Sequence, residues 1–274
     1  MTSSPREAAE LLARHGLSPR RAFGQNFVVD PNTVRRIARL SAVGAGDHVV
    51  EIGAGLGALT RALLDTGADV TAIEIDRGLV AVLRAEVAPL GVRVVEGDAR
   101  SLDWPAVLAG VNQWVLVANL PYNVATPLIA DLLDHVAAIT RMLVMVQREV
   151  GERLAAGPGS SAYGAVSVKV AYWATAEIVG RVPPTVFLPR PKVESALVSI
   201  VRRPRPAVDN AIDRERLFAL VRAGFGQRRK MLRRSLAGLV PPAAFEAAGI
   251  PPEARAEELS VEEWGRLATA APTP

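Results

Sequence analysis

The stretch VVEIGAGLGALT, residues 49–60, contains a complete strand-to-helix turn. A valine- and isoleucine-rich run ends in Gly53, Gly55 and Gly57, and an apolar helical pattern follows. Glycine lets the backbone turn tightly and lets a ligand lie against bare peptide groups, at the carboxyl end of a strand where open α/β sheets bind ligands. The spacing is GxGxG and differs from the GxGxxG of dinucleotide binders. Taken alone, the stretch fits either a ligand loop or a plain tight turn.

The same alternation of strand and helix continues along the chain. From residue 47 it runs through HVVEIG, ALTRALLDTG, DVTAIEID, RGLVAVLRAEVAPLG and VRVVEGDA, and then through WVLVANL, ATPLIADLLDHVA and RMLVMVQ. This rhythm predicts an α/β fold with a parallel sheet covered on both faces. The pieces AVSVKVAYWA, AEIVGRV and SALVSIVRR alternate without intervening helices, which predicts an antiparallel edge to that sheet.

The chain changes character near residue 205. The segment RRPRPAVDNAI, residues 202–212, has two prolines and no apolar period, so we predict a linker there. The stretches 213–239 and 260–270 have helical patterns, and Ser260 with Glu263 has the spacing of a capping box. We therefore predict a sheet domain over residues 1–205, with 1–22 as an N-terminal extension, and a small helical domain over 206–274.

Composition excludes several classes of protein. The 274 residues include no cysteine, which removes disulfides, thiolate metal sites and cysteine nucleophiles, and the three histidines are scattered at positions 15, 48 and 135, so we expect no metal. No apolar run approaches the roughly 20 residues of a spanning helix, and the N-terminus does not resemble a secretory signal. We expect a cytoplasmic protein. The net charge of +4 is a mild indication of an anionic partner.

Acidic residues follow the next two strands of the predicted sheet. Glu74 lies about twenty residues after the glycines, where a carboxylate can accept both ribose hydroxyls. Asp98 ends a third strand and could accept a hydrogen bond from the exocyclic amine of an adenine. Residues of this kind are often helix N-caps, and Asp76 is a candidate for that role. Three consecutive strand ends of this type together predict a nucleoside-shaped ligand.

At this point the sequence resembles the S-adenosylmethionine-dependent methyltransferases, whose first strand ends in ExGxGxG. It is similar to a narrower family, the small-subunit ribosomal RNA adenine N6,N6-dimethyltransferases. The motifs that carry the resemblance occur in order from about residue 21 to the C-terminal helices: FGQNFVVD, EIGAGLGALT, EID, EGDA, NLPY, FLPRPKVESALV and FGQRRKMLRRSL. The resemblance implies a Rossmann-like methyltransferase sheet, S-adenosylmethionine as cofactor and a C-terminal domain that binds RNA.

The resemblance also implies roles for individual residues. In the family the GQN segment closes over the methionine end of the cofactor, which assigns Gln25, Asn26 and the backbone of Val28. The predicted cofactor-binding set also includes Gly53, Gly55, Glu74, Asp98 and Asn119. The family more often has Leu at position 28 and Pro at position 54, where this chain has Val28 and Ala54. Both are small apolar exchanges. The resemblance further implies that Phe187, in a stiff proline-rich loop, covers one face of the target base, although a core phenylalanine fits the same pattern.

The NLPY segment, residues 119–122, fits the chemistry of methyl transfer to an amine. The adenine N6 lone pair is delocalised into the ring, so an acceptor must favour pyramidal nitrogen. The Asn119 amide oxygen and a carbonyl at Leu120 or Pro121 could accept both N–H groups. Pro121 fixes its own φ, and Tyr122 offers a flat face on which a base stacks with about 1–3 kcal/mol. The sulfonium displacement itself requires no general base.

Positive charge concentrates in one segment of the predicted helical domain. No acidic residue lies between Leu220 and Leu236, and six basic side chains are predicted to contact RNA phosphates. They are Arg222, Arg228, Arg229, Lys230, Arg233 and Arg234. A solvated helix face is the simpler alternative. We expect Arg20, Arg21, Arg190 and Lys192 to extend the basic surface.

The first functional hypothesis is dimethylation of two adjacent adenosines near the 3′ end of small-subunit (16S) ribosomal RNA, by a monomer acting on an immature 30S particle. A large-subunit dimethylase of the macrolide-resistance type is the second, although that branch more often has Ile after the Asn. An assembly factor that binds ribosomal RNA without catalysis is the third. A nicotinamide dehydrogenase is disfavoured by the glycine spacing.

Overall fold

The computed structural model describes residues 4–20, 23–209 and 212–271 of the chain. They fold into two compact units, one made of Met1–Gly151 with Glu177–Val201 and the other of Glu152–Ala176 with Arg202–Pro274. The strands are β1 Phe27–Val28, β2 His48–Ile52, β3 Asp69–Glu74, β4 Arg93–Glu96, β5 Trp114–Asn119, β6 Ile139–Gln147, β7 Ala174–Val182, β8 Phe187–Leu188 and β9 Ser195–Arg202.

The helices of the described residues alternate with these strands and then dominate the C-terminal part. They are α1 Pro5–Arg14, α2 Pro31–Leu40, α3 Ala58–Leu64, α4 Arg77–Glu86, α5 Trp104–Val107, α6 Ala125–His135, α7 Arg148–Ala155, α8 Ala165–Trp173, α9 Arg214–Gly226, α10 Leu232–Ser235, α11 Pro242–Ala248 and α12 Val261–Ala270. Across the described residues, no helix combines the length and the apolar character needed to cross a bilayer.

The main sheet has the strand order β4-β3-β2-β5-β6-β9-β7. Strands β4, β3, β2, β5 and β6 run parallel, and β9 pairs antiparallel with β6, so the prediction of a parallel sheet with an antiparallel edge is confirmed. The chain order reverses between β2 and β5. Such a switch point opens a crevice at the carboxyl ends of the strands.

Local signals in the sequence identified several element boundaries correctly. Asp76 is the N-cap of α4 and accepts from the Gly78 amide, and Ser260 with Glu263 forms the capping box of α12. These caps satisfy amides that a helix leaves unpaired at its first turn.

The strand predicted for AVSVKVAYWA is wrong. Residues Ala165–Trp173 form helix α8, and only the last alanine begins β7. Val168 and Tyr172 on this helix are buried in the core of the second unit, where the Tyr172 ring meets Phe218 edge-on. Packing on α9 has therefore overridden the β-propensity of a valine-rich stretch.

The second unit begins earlier than the predicted boundary at residue 205. Residues Glu152–Ala176 belong to it, since α8 supplies part of its core. The predicted linker has no helix or strand over residues 203–209, although Val208 is buried and the Ala207 amide donates to the Tyr172 carbonyl. Asn210 and Ala211, also predicted as linker, lie outside the described residues.

The basic segment is not one continuous helix. Helix α9 ends at Gly226, residues 227–230 form a turn, and the short α10 begins at Leu232. Glycine weakens a helix because fixing its backbone costs more entropy than fixing that of alanine.

Candidate methyl-transfer site

A cavity of about 280 Å³ opens at the carboxyl edge of the parallel strands in the first unit. Its lining draws on the segment before β1, the ends of β2, β3, β4 and β5, and the turn into α6. Most of the predicted site residues line this one cavity: Gln25, Asn26, Gly53, Gly55, Glu74, Asp98, Asn119, Leu120, Pro121 and Tyr122. The structure therefore brings together residues that lie up to about a hundred positions apart in the chain.

Gly55 of the glycine loop packs closely against the Phe27 ring. Gly55 has φ +59°, and a Cβ placed there would lie 3.0 Å from the Phe27 ring. An alanine would be strained both by its backbone conformation and by this contact. The Gly55 amide points to the next strand end, where it donates to Oε2 of Glu74 at 2.9 Å.

Glu74 is a buried acceptor for three main-chain amides. Besides Gly55, the amides of Ile75 and Asp76 donate to its Oε1, each at 3.0 Å. Burial raises the pKa of Glu74, and the three amide hydrogen bonds oppose that rise. Because each carboxylate oxygen has two lone pairs, Oε2 keeps capacity for one further donor, such as a ribose hydroxyl.

Asp98 is already paired with a side chain that the sequence analysis did not assign. The Arg100 guanidinium donates to both of its oxygens, the shortest contact being 2.6 Å from Nη2 to Oδ2, and the Arg100 amide donates to Oδ1. This pairing holds the pKa of Asp98 below its usual value. An adenine amine at Asp98 would share the carboxylate with Arg100. The predicted adenine contact stays a prediction.

The orientation of the Asn119 amide follows from a hydrogen bond to the GQN segment. Its Nδ2 donates to the main-chain carbonyl of Asn26 at 2.8 Å. A carbonyl only accepts, so the nitrogen end of the amide must face Asn26 and the Oδ1 end faces elsewhere. Gly24 lies over the NLPY loop, since a Cβ there would be 3.1 Å from that of Pro121. The GQN segment thus supports the NLPY segment directly.

The hydrogen bonds of the turn after Asn119 distinguish between the two candidate acceptors, the carbonyls of Leu120 and Pro121. The Pro121 carbonyl accepts the amides of Val124 and Ala125 and begins the turn into α6. Its lone pairs are therefore committed, and the Leu120 carbonyl is the better acceptor for an incoming amine. Tyr122 follows in the turn, half-buried, and its hydroxyl is 2.8 Å from Oγ of Ser195.

Two predicted site residues are not brought to the cavity. Val28 and Phe187 pair with each other in the two-stranded ribbon β1–β8, and the Phe187 side chain is 4% exposed within the hydrophobic core. The Phe187 ring packs in this core and is not among the residues that line the cavity, so its contact with the target base stays a prediction. Phe23, which the sequence analysis left unassigned, supplies a half-buried aromatic ring to the lining.

Gln25 lines the cavity and also ties the N-terminal segment to β3. Its Nε2 donates to Oδ2 of Asp76 at 3.1 Å, and its Oε1 accepts the Arg20 amide at 2.7 Å. Asp76 in turn donates its own amide to Glu74. A chain of hydrogen bonds thus joins the GQN segment to the carboxylate predicted to hold the ribose.

The predicted basic residues differ in their surroundings. Arg228 donates to Glu257 at 2.5 Å and to the Ser161 carbonyl at 2.7 Å, and Arg233 forms an ion pair with Glu253 at 3.4 Å. Four of the six are exposed, and their side chains form no hydrogen bond or ion pair with another residue that the structure describes: Arg222, Arg229, Lys230 and Arg234. Of the predicted extension, Arg190 and Lys192 are exposed, Arg20 is 3.5 Å from Asp76, and Arg21 lies outside the described residues.

Glu51, in the strand before the glycine loop, is a second buried carboxyl group. The Thr60 hydroxyl donates to it at 2.6 Å, and burial raises its pKa to about 8. The folded protein then retains this proton up to about pH 8, whereas the unfolded chain releases it near 4.5. Because the native state binds more protons between these values, the free energy of unfolding falls as pH rises through this window.

We expect Glu51→Gln to remove this part of the pH dependence, since the amide oxygen still accepts from Thr60 and carries no titrating proton. Between about pH 5 and about pH 9 the melting temperature of the unmodified protein should fall relative to the variant by at least about 2–4 °C, or ~1 kcal/mol for a chain of this size. Calorimetry across that range measures the difference. Parallel profiles for the two proteins would contradict the assignment.

The residues of the cavity fit an adenosyl cofactor, because the glycine loop, a buried carboxylate with spare acceptor capacity and a third acidic strand end converge on one space. Fold and site together define an S-adenosylmethionine-dependent methyltransferase. The family model for "Ribosomal RNA adenine dimethylase" matches residues 16–271. The chain belongs to this family.

Relatives of similar length carry one common name. A protein of Bifidobacterium adolescentis called "Ribosomal RNA small subunit methyltransferase A" is 49% identical over 276 residues, covering 95% of this chain and 91% of that protein. Proteins of the same name from Kineococcus radiotolerans and Streptomyces coelicolor are each 48% identical, covering 98% and 96% of this chain and 91% and 95% of theirs.

Two solved structures share the fold. A dimethyladenosine transferase from Plasmodium falciparum superposes with a TM-score of 0.74 at 25% identity, covering 87% of this chain and 94% of that one. The 23S rRNA methyltransferase ErmE superposes with a TM-score of 0.67 at 27% identity, covering 89% and 98%.

Proposed function

We propose that this protein transfers methyl groups from S-adenosylmethionine to the N6 amines of two adjacent adenosines near the 3′ end of small-subunit (16S) ribosomal RNA. The hydrogen bond that the Asn119 Nδ2 donates to the Asn26 carbonyl carries the proposal, since it fixes the orientation of the amide and leaves Oδ1 available to accept from an amine. The names of the relatives at 45–49% identity support the choice of the small subunit.

In the proposed reaction Asn119 and Leu120 act on the nucleophile. The Asn119 amide oxygen and the Leu120 carbonyl accept the two N–H groups of the amine, which draws its lone pair out of conjugation with the ring. Tyr122 holds the extruded base by stacking on its face. Bound S-adenosylmethionine supplies an electrophilic sulfonium methyl group, held by the glycine loop, Glu74, Asp98 and the GQN segment.

No general base is required among the lining residues. Positive charge moves to nitrogen during the displacement, and the product ammonium releases its proton to water. The rate enhancement in this proposal comes from positioning and from exclusion of water. The close packing of Gly55 on Phe27 and of Gly24 on Pro121 at the cavity supports the exclusion of water.

The large-subunit dimethylase is the second candidate. The ErmE structure, which is titled a 23S rRNA methyltransferase, shares the fold at 27% identity. The relatives named for the small subunit are closer in sequence and match nearly the whole chain. We therefore keep the large subunit, and an assembly factor without catalysis, as outcomes of the test below.

In the test, the protein is incubated with labelled S-adenosylmethionine and purified ribosomal subunits that lack adenine dimethylation. We expect label only in small-subunit RNA, and nuclease digestion should yield N6,N6-dimethyladenosine from two neighbouring positions. Label confined to large-subunit RNA would identify the second candidate. RNA binding without label would identify an assembly factor. We also propose that the enzyme acts as a monomer, on immature 30S particles, in the cytoplasm.

We further propose that the exposed residues Arg222, Arg229, Lys230 and Arg234 contact RNA phosphates. Arg229→Ala combined with Lys230→Ala removes two exposed charges whose side chains form no hydrogen bond or ion pair within the described part of the chain. We expect weaker RNA binding and a salt slope of log Kd smaller by about 1–2, because each phosphate contact releases about one counterion. Filter binding at several salt concentrations measures both quantities.

The matched control is Arg35→Ala combined with Arg39→Ala, which removes the same charge from exposed positions of α2. An equal loss of slope in the control would mean that overall charge, and not this turn, governs binding. Arg228 is unsuitable for the test, since its contacts with Glu257 and Ser161 make it part of the folded unit.

A further inference from the structure

Tyr122 reaches the cavity from a turn, and a turn alone holds a ring loosely. Residues 122–124 form the turn between β5 and α6, and the Pro121 carbonyl closes it through the amides of Val124 and Ala125. These bonds fix the backbone but leave the side-chain torsions of the tyrosine open. Side-chain rotation of a half-exposed residue occurs in picoseconds to nanoseconds. A stacking surface needs a further contact at the ring.

The far end of the Tyr122 ring contacts Ser195. The two hydroxyl oxygens are 2.8 Å apart, and Ser195 is 0% exposed. This is the one hydrogen bond of the Tyr122 hydroxyl among the described residues. Ser195 lies 73 positions away in the sequence, within the motif FLPRPKVESALV, in which the sequence analysis assigned a contact with the base only to Phe187.

The sheet register explains why Ser195 is a rigid partner. It is the first residue of β9 and pairs with Gln147 at the end of β6. Two positions earlier on β6, Met145 pairs with both Leu197 of β9 and Asn119 of β5. Ser195 and Asn119 therefore stand on strands joined through β6, so that one sheet positions both the amine acceptor and the contact of the aromatic ring.

We propose that Ser195 is a positioning residue for methyl transfer, which holds the Tyr122 ring in its stacking orientation through the hydroxyl pair. The inference rests on the proposed function for its kinetic consequence. Ser195 does not touch the reacting atoms and acts only through Tyr122. Its removal therefore affects the rate of transfer and leaves the cofactor contacts of the glycine loop and Glu74 in place.

The kinetic test is a double-mutant cycle of Ser195→Ala and Tyr122→Phe, which keeps the ring. We expect each single change to lower kcat about 3- to 10-fold, the range of one lost hydrogen bond, with the Kd of S-adenosylmethionine unchanged. The double variant should be no slower than the slower single variant, because both changes break the same contact. Multiplied effects in the double variant would overturn the proposal.

The matched control is Ser199→Ala, which deletes the same hydroxyl from the same strand. Ser199 pairs with Leu143 and forms no side-chain hydrogen bond within the described residues. It should retain full kcat. If Ser195→Ala behaves like Ser199→Ala, or if it loses cofactor affinity and thermal stability in proportion to kcat, Ser195 has only a structural role.

A second measurement needs no RNA and separates this inference from the proposed function. The chain has three tyrosines, so ring-labelled tyrosine gives three sets of NMR signals, and Tyr122→Phe identifies one of them. We expect Ser195→Ala to shift and narrow the Tyr122 signal, while Ser199→Ala leaves it unchanged. An unmoved signal overturns the proposal even if the enzyme methylates small-subunit RNA. A moved signal supports it even if the true substrate is another RNA.

Discussion

Asn119→Ala should abolish methyl transfer, with kcat reduced at least about 100-fold, while the Kd of S-adenosylmethionine changes by only a few fold. In the proposed mechanism the Asn119 amide oxygen accepts from the N6 amine and turns its lone pair out of conjugation, and the hydrogen bond from Nδ2 to the Asn26 carbonyl holds the amide in that orientation. Single-turnover transfer of labelled methyl groups measures the rate, and isothermal titration measures the cofactor affinity.

The matched control is Asn123→Ala. Asn123 lines the same cavity four positions further on, is exposed, and is not assigned to the amine. We expect it to retain kcat within about 3-fold, the effect of a single weak surface contact. If Asn119→Ala loses cofactor binding altogether, the residue belongs to the cofactor site, and the role proposed for it in orienting the amine is wrong.

Glu74→Gln should weaken cofactor binding by about 30-fold or more, which corresponds to about 2 kcal/mol. Three amides donate to the carboxylate, from Gly55, Ile75 and Asp76. A glutamine has only one acceptor oxygen, so its NH2 group must face at least one of these donors. Losing a buried hydrogen bond to a charged group costs about 1.5–3 kcal/mol. The Gly55 turn and the proposed ribose contact are weakened together.

The control for this change is Glu51→Gln, an equally buried carboxyl on the neighbouring strand β2. Its single donor, the Thr60 hydroxyl, can still reach an amide oxygen. We expect Glu51→Gln to bind S-adenosylmethionine within about 3-fold of the unmodified protein, because Glu51 is not among the residues that line the cavity. Titration calorimetry compares the two variants at neutral pH. A Glu74→Gln protein with normal affinity would show that the carboxylate is purely a structural anchor for the loop.

Some features of this site follow from local sequence patterns, and others depend on contacts that form only in the folded chain. The amino-acid sequence by itself determined the parallel sheet, the glycine loop, the N-caps Asp76 and Ser260, and the strand ends that meet at the site. Such features depend on local backbone preferences and on the periodicity of apolar residues, both of which can be read within a dozen positions. The family resemblance used the same short motifs.

The tertiary structure decided the remaining features because each depends on partners distant in the chain. The Asn119 amide is turned by Asn26, 93 positions earlier, and Tyr122 is held by Ser195, 73 positions later. Packing made residues 165–173 a helix in spite of their strand-like pattern and buried Phe187 away from the cavity. Arg228 is only half-exposed because it forms an ion pair with Glu257. Burial and hydrogen-bond geometry are properties of the folded chain, and no local pattern encodes them.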